Sequence, residues 1–255
     1  MLRRLPILFI LILLLLALSA CGGKAKYLMT KQTVCDADGG VRYYILYEYD
    51  KKNNLVKETD YDKDGKIRYY TTYQYDRDGR LVISEKYIGS KLESRAVYKY
   101  DDEGREIERK LYNDSGVAYS TKIYTYEESG YTEVTYGENS NLQSTRKVTM
   151  NEKGDILRVE HVTSLNLKIT EEYAYDENGY LIKCDVKSED AYNVYTLYIN
   201  DSKGKVLVRE DYQDGKLARY LEHTYDKNGN LIKIEVFSPQ DTLTSSTRYV
   251  YKRAN

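Results

Sequence analysis

The sequence predicts an all-β protein: a long antiparallel meander of about 18 strands, built from hairpin repeats of roughly 25 residues. Three observations carry that prediction. The pattern Tyr-x-Tyr-Asp-x-x-Gly-x-Leu occurs whole at Tyr73–Leu81 and again at Tyr173–Leu181. Copies of its Asp are evenly spaced through the chain, and self-similarity at a fixed period is the mark of a repeat architecture. The composition agrees, with 30 Tyr against two Phe, no Trp and only two Pro, because Tyr suits pleated, half-buried surfaces and Pro breaks ladders.

The chain begins with a segment of a different kind. Arg3 and Arg4 precede an almost wholly apolar run from Leu5 to Ala17, followed by Leu18-Ser19-Ala20-Cys21-Gly22-Gly23. The run is shorter than the ~20 residues a membrane span needs. This stretch resembles a bacterial lipoprotein signal with its lipobox. The resemblance implies cleavage before Cys21, lipidation of Cys21, and a mature domain held on the bacterial cell membrane or outer membrane, outside the cytoplasm. The expected division is residues 1–21 signal, 22–26 tether and 27–255 β domain. Export permits disulfides, but Cys35 and Cys184 lie about six repeats apart and are expected to stay unpaired.

The repeats follow in order. Their anchors are Asp50, Asp76, Asp101, Glu127, Asn151, Asp176, Asp201 and Asp226, with Lys252 closing the series at spacings of 24 to 26. One residue before the anchor stand Tyr49, Tyr75, Tyr100, Tyr126, Met150, Tyr175, Asn200, Tyr225 and Tyr251. Three before it stand Tyr47, Tyr73, Tyr98, Tyr124, Val148, Tyr173, Tyr198, His223 and Tyr249. Residues two apart on a strand share a face, so each repeat sets two rings on one face. Three after most anchors is a Gly, replaced in the first copy by Asn53, the residue next best at positive φ. Asp-x-x-Gly therefore reads as a type I turn ending in a left-handed residue, with the Asp capping its own turn.

That turn sets an expected register. With Asp76 opposite Arg80, Tyr75 falls opposite Leu81, Tyr73 opposite Ile83 and Tyr69 opposite Tyr87. The same rule places Tyr49 against Leu55 and Tyr43 against Tyr61. An aliphatic column six after the anchor, Val56, Val82, Ile107, Leu157, Ile182, Leu207 and Ile232, is expected on the face away from the Tyr. The fourth copy, Tyr131-Thr-Glu-Val, departs from the aliphatic pattern and marks an expected bend or register change. A second, variable turn follows Tyr61, Tyr87, Tyr112, Tyr136, Val162, Val186, Tyr212 and Phe237, so each repeat is two strands and two turns. Open twisted sheets rarely pass ~10 strands without curling or splitting. A sheet that wraps or spirals over part of itself is the expected shape.

From residue 41 to 252 these hairpins resemble the YD repeats of Rhs proteins and teneurins. In that family the repeats curl into a spiralling β-sheet shell, large members enclose a toxin, and some are credited with carbohydrate binding. The resemblance implies the strand arrangement and a curl. With about nine repeats and no toxin segment after Lys252, encapsulation is not expected.

The composition and motifs also exclude functions. A net charge of -1 with Lys and Asp interleaved is no nucleic-acid footprint. The Asp-rich turns, such as Asp62-Lys-Asp64-Gly65, lack the further ligands and closing Glu of a calcium loop. His161 and His223 lie in different repeats, and His223 fills a Tyr column. Glu171 and Glu172 are adjacent, hence on opposite faces of a strand. No Gly-x-Ser-x-Gly occurs. No catalytic residue, metal or cofactor is expected, and a non-catalytic binding or interaction role at the envelope is. The candidate ligand face is the ring column Tyr47, Tyr73, Tyr98, Tyr124, Tyr173, Tyr198 and Tyr249, whose rings could stack on sugars or simply pack the repeats together. Expected partners are the membrane through the lipid anchor and a glycan or envelope protein. A structural spacer is the further alternative.

Overall fold

The computed structural model describes residues 27–188 and 193–254. The lipobox Cys21 and the tether 22–26 lie outside the described residues. The first nine strands are β1 (Tyr27–Asp36), β2 (Val41–Tyr49), β3 (Leu55–Asp62), β4 (Ile67–Tyr75), β5 (Leu81–Ile88), β6 (Lys91–Tyr100), β7 (Glu106–Asn113), β8 (Ala118–Glu127) and β9 (Gly130–Gly137). After a 3₁₀ turn at Glu138–Ser140 come β10 (Leu142–Met150), β11 (Ile156–Thr163), β12 (Lys168–Tyr175), β13 (Leu181–Ser188) and β14 (Val194–Asn200). The last four are β15 (Val206–Gln213), β16 (Lys216–Tyr225), β17 (Leu231–Phe237) and β18 (Leu243–Arg253).

Each strand pairs antiparallel with its sequence neighbours, as the meander predicts. The ends also meet: β1 pairs with β18 from Tyr27↔Arg253 to Asp36↔Ser245. The sheet is therefore a closed barrel and not a spiral. At ~4.8 Å per strand, 18 strands make a ring roughly 27 Å across between backbones before tilt.

The Asp turns form as expected. The Asp76 N–H donates to the Arg80 carbonyl (2.9 Å) and the Gly79 N–H to the Asp76 carbonyl (3.2 Å). Asp76 Oδ1 accepts from the N–H groups of Asp78 and Arg80, both at 2.9 Å. Gly79 has φ +82° and Asn53, its counterpart in the first copy, φ +70°. These turns form one rim of the barrel. The variable turns form the other.

Beyond the first pair the expected register is wrong by one. Tyr75 opposes Leu81 and Tyr49 opposes Leu55. Thereafter Gln74, not Tyr73, opposes Ile83, while Tyr73 faces Ser84, Tyr70 faces Tyr87 and Tyr44 faces Tyr61. The cause is a β-bulge next to every anchor turn but the fourth. Its extra residue, skipped by the ladder, is Val56, Val82, Ile107, Leu157, Ile182, Leu207 or Ile232. The aliphatic column is thus the bulge column, the set of residues that the ladders skip. The fourth copy has no bulge: Tyr126 faces Tyr131 and Glu127 faces Gly130. The missing bulge residue accounts for its short spacing of 24.

Bulges also sit beside the variable turns, skipping Arg68, Glu93, Tyr119 and Ala218. A bulge bends its strand and strengthens the local twist. Bulges at both rims supply the curl that closes the ring, and closure leaves no edge strand.

The two walls differ. Positions two before the anchor, such as Glu48, Gln74, Lys99, Ala174, Thr224 and Val250, are exposed, whereas the Tyr columns beside them are half-buried. The Tyr columns line the inside. The outer wall carries charged rows, with Lys99 to Glu108 at 2.7 Å, Lys187 to Glu172 at 2.9 Å and Lys233 to Glu235 at 2.6 Å. A Lys or Arg facing lipid from a barrel costs ~2–4 kcal/mol at the bilayer midplane. Rows of this kind are suited to water and costly against lipid. Near the variable rim the outer wall also carries cross-strand stacks, Tyr44–Tyr61 (4.8 Å between ring centres), Tyr70–Tyr87 (4.9 Å), Tyr195–Tyr212 (4.6 Å) and Tyr220–Phe237 (4.9 Å).

The candidate functional site: the inner wall

The register that places the two Tyr columns inside gives them separate tasks. The column next to the anchor serves the backbone. Beyond each bulge the following pair of strands stops pairing; between β3 and β4 the ladder ends at Lys57↔Thr72. The Leu55 carbonyl is left without a ladder partner there, and the Tyr75 hydroxyl donates to it at 2.8 Å. The same bond runs from Tyr49 to Met29, Tyr100 to Leu81, Tyr126 to Glu106, Tyr175 to Ile156 and Tyr225 to Val206, at 2.7–2.9 Å. Asn200 substitutes in kind, its Nδ2 donating to the Leu181 carbonyl at 2.9 Å. Met150 has no such donor and needs none: β9 has no bulge, and the Met150 N–H continues the ladder to the Ser129 carbonyl (2.8 Å).

The column three before the anchor serves side chains. Tyr47 donates to Gln32 Oε1 at 3.1 Å, Tyr98 meets the Ser84 hydroxyl at 3.3 Å, and Tyr173 donates to Glu171. Burial and the nearby Glu58 push the Tyr73 phenol well above its ordinary range, and the Tyr73 hydroxyl bonds to that carboxylate. Burial in turn raises Glu58. Burial likewise raises Tyr124, Tyr198 and Tyr249. The structure thus brings the candidate ring column to one inner wall, spread around the ring and not gathered at one point.

Charged groups missed by the sequence reading sit between these rings. Asp211, 3% exposed, accepts from Arg209 Nε (2.8 Å), Arg219 Nε (2.7 Å) and the Thr196 hydroxyl (3.0 Å). Arg109 stacks over Tyr98 at 5.0 Å and donates twice to Glu106 (2.8 and 2.9 Å). The signal was present in the alternation of Arg, Glu and Asp with the Tyr columns, but the bulge shift hides which of them face inward.

His223 occupies the inner wall, and burial, with Arg209 nearby, lowers its pKa. His161 faces Arg146 across β10–β11, in another repeat. Cys35 and Cys184 are both free and buried. Burial lifts the Cys184 thiol to about 11, so it is no thiolate at neutral pH. Among the described residues no group of three or more His, Cys, Asp or Glu could hold a metal ion. A cleft of about 440 Å³ opens between the first two Asp turns, lined by Asp50, Lys52, Asn54, Val56, Tyr73 and Tyr75 among others. It places rings beside carboxylate, amide and ammonium groups.

Fold and site together define a closed antiparallel barrel with a charged outer wall and a Tyr-lined, polar interior. No family model and no curated protein matches the chain. Among solved structures it is similar to a porin-like protein from Bacteroides uniformis, at 12% identity and TM-score 0.47, over 88% of this chain and 98% of that one. A porin-like protein from Bacteroides vulgatus gives 12% identity and TM-score 0.38 over the same shares. The Photorhabdus luminescens Tc holotoxin pore gives 13% identity and TM-score 0.31, over 83% of this chain and 14% of that one.

Proposed function

We propose that this is a lipid-anchored bacterial envelope protein whose barrel, outside the cytoplasm and in water, binds a polar ligand at its inner wall without chemical turnover. The observation that carries this reading is the assignment of the ring column. Tyr47, Tyr73, Tyr98, Tyr124, Tyr173, Tyr198 and Tyr249 lie half-buried along the inner wall among inward charges, away from the outer surface, and Tyr73 lines the cleft at the first two Asp turns. Rings offer apolar faces while their hydroxyls and the neighbouring carboxylates, amides and guanidinium groups offer hydrogen bonds, the combination that suits a carbohydrate. The charged outer wall supports a barrel that stands beside a membrane on a tether at Cys21 and does not cross it.

A glycan array tests the reading, with Tyr73→Ala and Tyr98→Ala beside the parent protein. Binding lost in variants that keep the parent's strand signature supports the ligand wall. Variants that only melt at lower temperature, with binding unchanged or absent throughout, make the rings packing groups. A spacer role is the second reading, favoured by the column next to the anchor, whose hydroxyls are committed to backbone carbonyls.

A further inference from the structure

The Asp-turn rim is polarised in charge. Taken around the ring, the turns at 101–105, 127–130, 151–155 and 176–180 are contiguous. They expose Asp102, Glu103, Glu128, Glu152 and Glu177. The cations in this arc are Arg105, already held by Asp101 (2.7 Å) and Glu103 (3.1 Å), and the exposed Lys153, outnumbered by these carboxylates. The remaining turns, at 201–205, 226–230, 50–54 and 76–80, form the complementary arc with the chain ends between them. This arc exposes Lys51, Lys52, Arg77, Lys203, Lys227, Lys252 and Arg253, and its exposed turn acid, Asp78, is held by Arg80 (3.1 Å).

Both ends of the barrel leave from the middle of the basic arc, because Tyr27 lies directly against Arg253. Only residues 22–26 separate Tyr27 from Cys21, a reach of at most ~21 Å when fully extended. Two of those residues are Lys24 and Lys26. A lipid on Cys21 would therefore hold the basic arc, and not the variable rim, against a bilayer. The acidic arc lies across a ring ~27 Å wide. That exceeds twice the ~10 Å Debye length at moderate salt, so the two arcs act on a charged surface nearly independently.

We propose that the basic arc of the Asp-turn rim is a docking surface for anionic phospholipid headgroups. It would seat the barrel on the membrane tilted toward that arc, with the variable rim pointing away. The docking rests on the lipoprotein reading for its geometry, and the test separates the two.

The acylated full chain is reconstituted in vesicles of phosphatidylcholine, with or without phosphatidylglycerol, and its amines are acetylated and read by mass spectrometry. Acetylation of Lys51, Lys52 and Lys227 should slow several-fold when phosphatidylglycerol is present. Lys66, exposed on the variable rim, should not change, and high salt should abolish the difference. The triple variant Lys51→Glu/Lys52→Glu/Lys227→Glu should lose the dependence on lipid composition at the remaining Lys203. Acetylation independent of lipid composition, or equal protection of Lys66, overturns the docking surface even if Cys21 is acylated. If Cys21 carries no lipid, the chain is added to vesicles from solution. Preferential binding to the anionic ones, lost in the triple variant, then upholds the surface while the anchor reading falls. Equal binding to both compositions overturns the surface as well.

Discussion

The Tyr75 hydroxyl donates to the Leu55 carbonyl at 2.8 Å, from twenty residues further along the chain and one strand across. This bond closes a gap that the bulge at Val56 opens in the ladder, and it recurs around the barrel. A net hydrogen bond contributes about 0.5–1.5 kcal/mol, and an abandoned buried acceptor costs ~1–3 kcal/mol. Tyr75→Phe keeps the ring and removes only the donor. It should lower unfolding free energy by about 1–2 kcal/mol in denaturant titration, and Asn200→Leu should cost a similar amount. No loss in either variant would mean that water serves these carbonyls equally well.

Glycine matters differently at two turns. A Cβ on Gly79 would meet open space, so Gly79→Ala carries only the strain of a residue at φ +82°, roughly 1 kcal/mol. A Cβ on Gly130 would overlap the Val148 carbonyl oxygen, in the turn that lacks a bulge. Gly130→Ala should therefore cost several times more and loosen β9 from β10, visible as faster amide exchange at Val134 and Thr145. Equal cost at the two glycines would refute the close approach.

Asp211 is nearly fully buried between Arg209 and Arg219. Removing one partner of a buried ionic group is strongly destabilising, about 3–5 kcal/mol, because uncompensated charge remains. Both arginines here are partly exposed, so Asp211→Asn should cost somewhat less, about 2–3 kcal/mol. The double change Asp211→Asn/Arg219→Gln should recover part of the loss. A double variant weaker than the single one would argue against repulsion between the two guanidinium groups.

Acid should weaken the fold in two windows. Burial, then Arg209, lowers His223 below its ordinary 6.5. Below pH ~6.5 the unfolded chain takes up this proton before the folded one, so stability should begin to fall there. His223→Gln should flatten that first decline. Hydrogen bonds from Asn54, Arg80 and Lys205 hold Asp50, Asp76 and Asp201 below the usual 3.8. Their contribution is present above that value and is lost as pH falls through the lowered pKa. Glu58, raised by burial, works in the opposite sense. Melting temperature against pH for the parent and His223→Gln measures both windows; parallel curves would exclude His223.

Much of this fold was legible because its turns are local. Asp76 and Gly79 announce a hairpin through side-chain capping and positive φ, and Tyr75 against Leu81 follows at once. What came next was not legible. A bulge is a backbone event, and Val82 looks the same in sequence whether it fills a pleat or is skipped by the ladder. One skipped residue moves every later partner, which is why Tyr70 and not Tyr69 meets Tyr87 and why the inward Arg and Asp groups were not identified. Closure was beyond reach for another reason: β1 meets β18 only through the summed twist of all the hairpins between them. The task of Tyr75 and its column mates did leave a trace, since Asn200 in a Tyr column shows that a polar tip is wanted there.

The seam between β1 and β18 also governs how the molecule comes into being. Every other pairing joins consecutive strands and can form as soon as a hairpin emerges. The seam joins residues more than two hundred positions apart, so its loop-closure entropy is met once, at the end, and no earlier contact shares that cost. Until Thr247 reaches Val34, the growing sheet presents two unpaired edges to any neighbouring chain. The eleven residues of β18 therefore act as a latch for the whole array. A chain cut short before them would keep almost every local hairpin and still behave as an open, self-associating sheet.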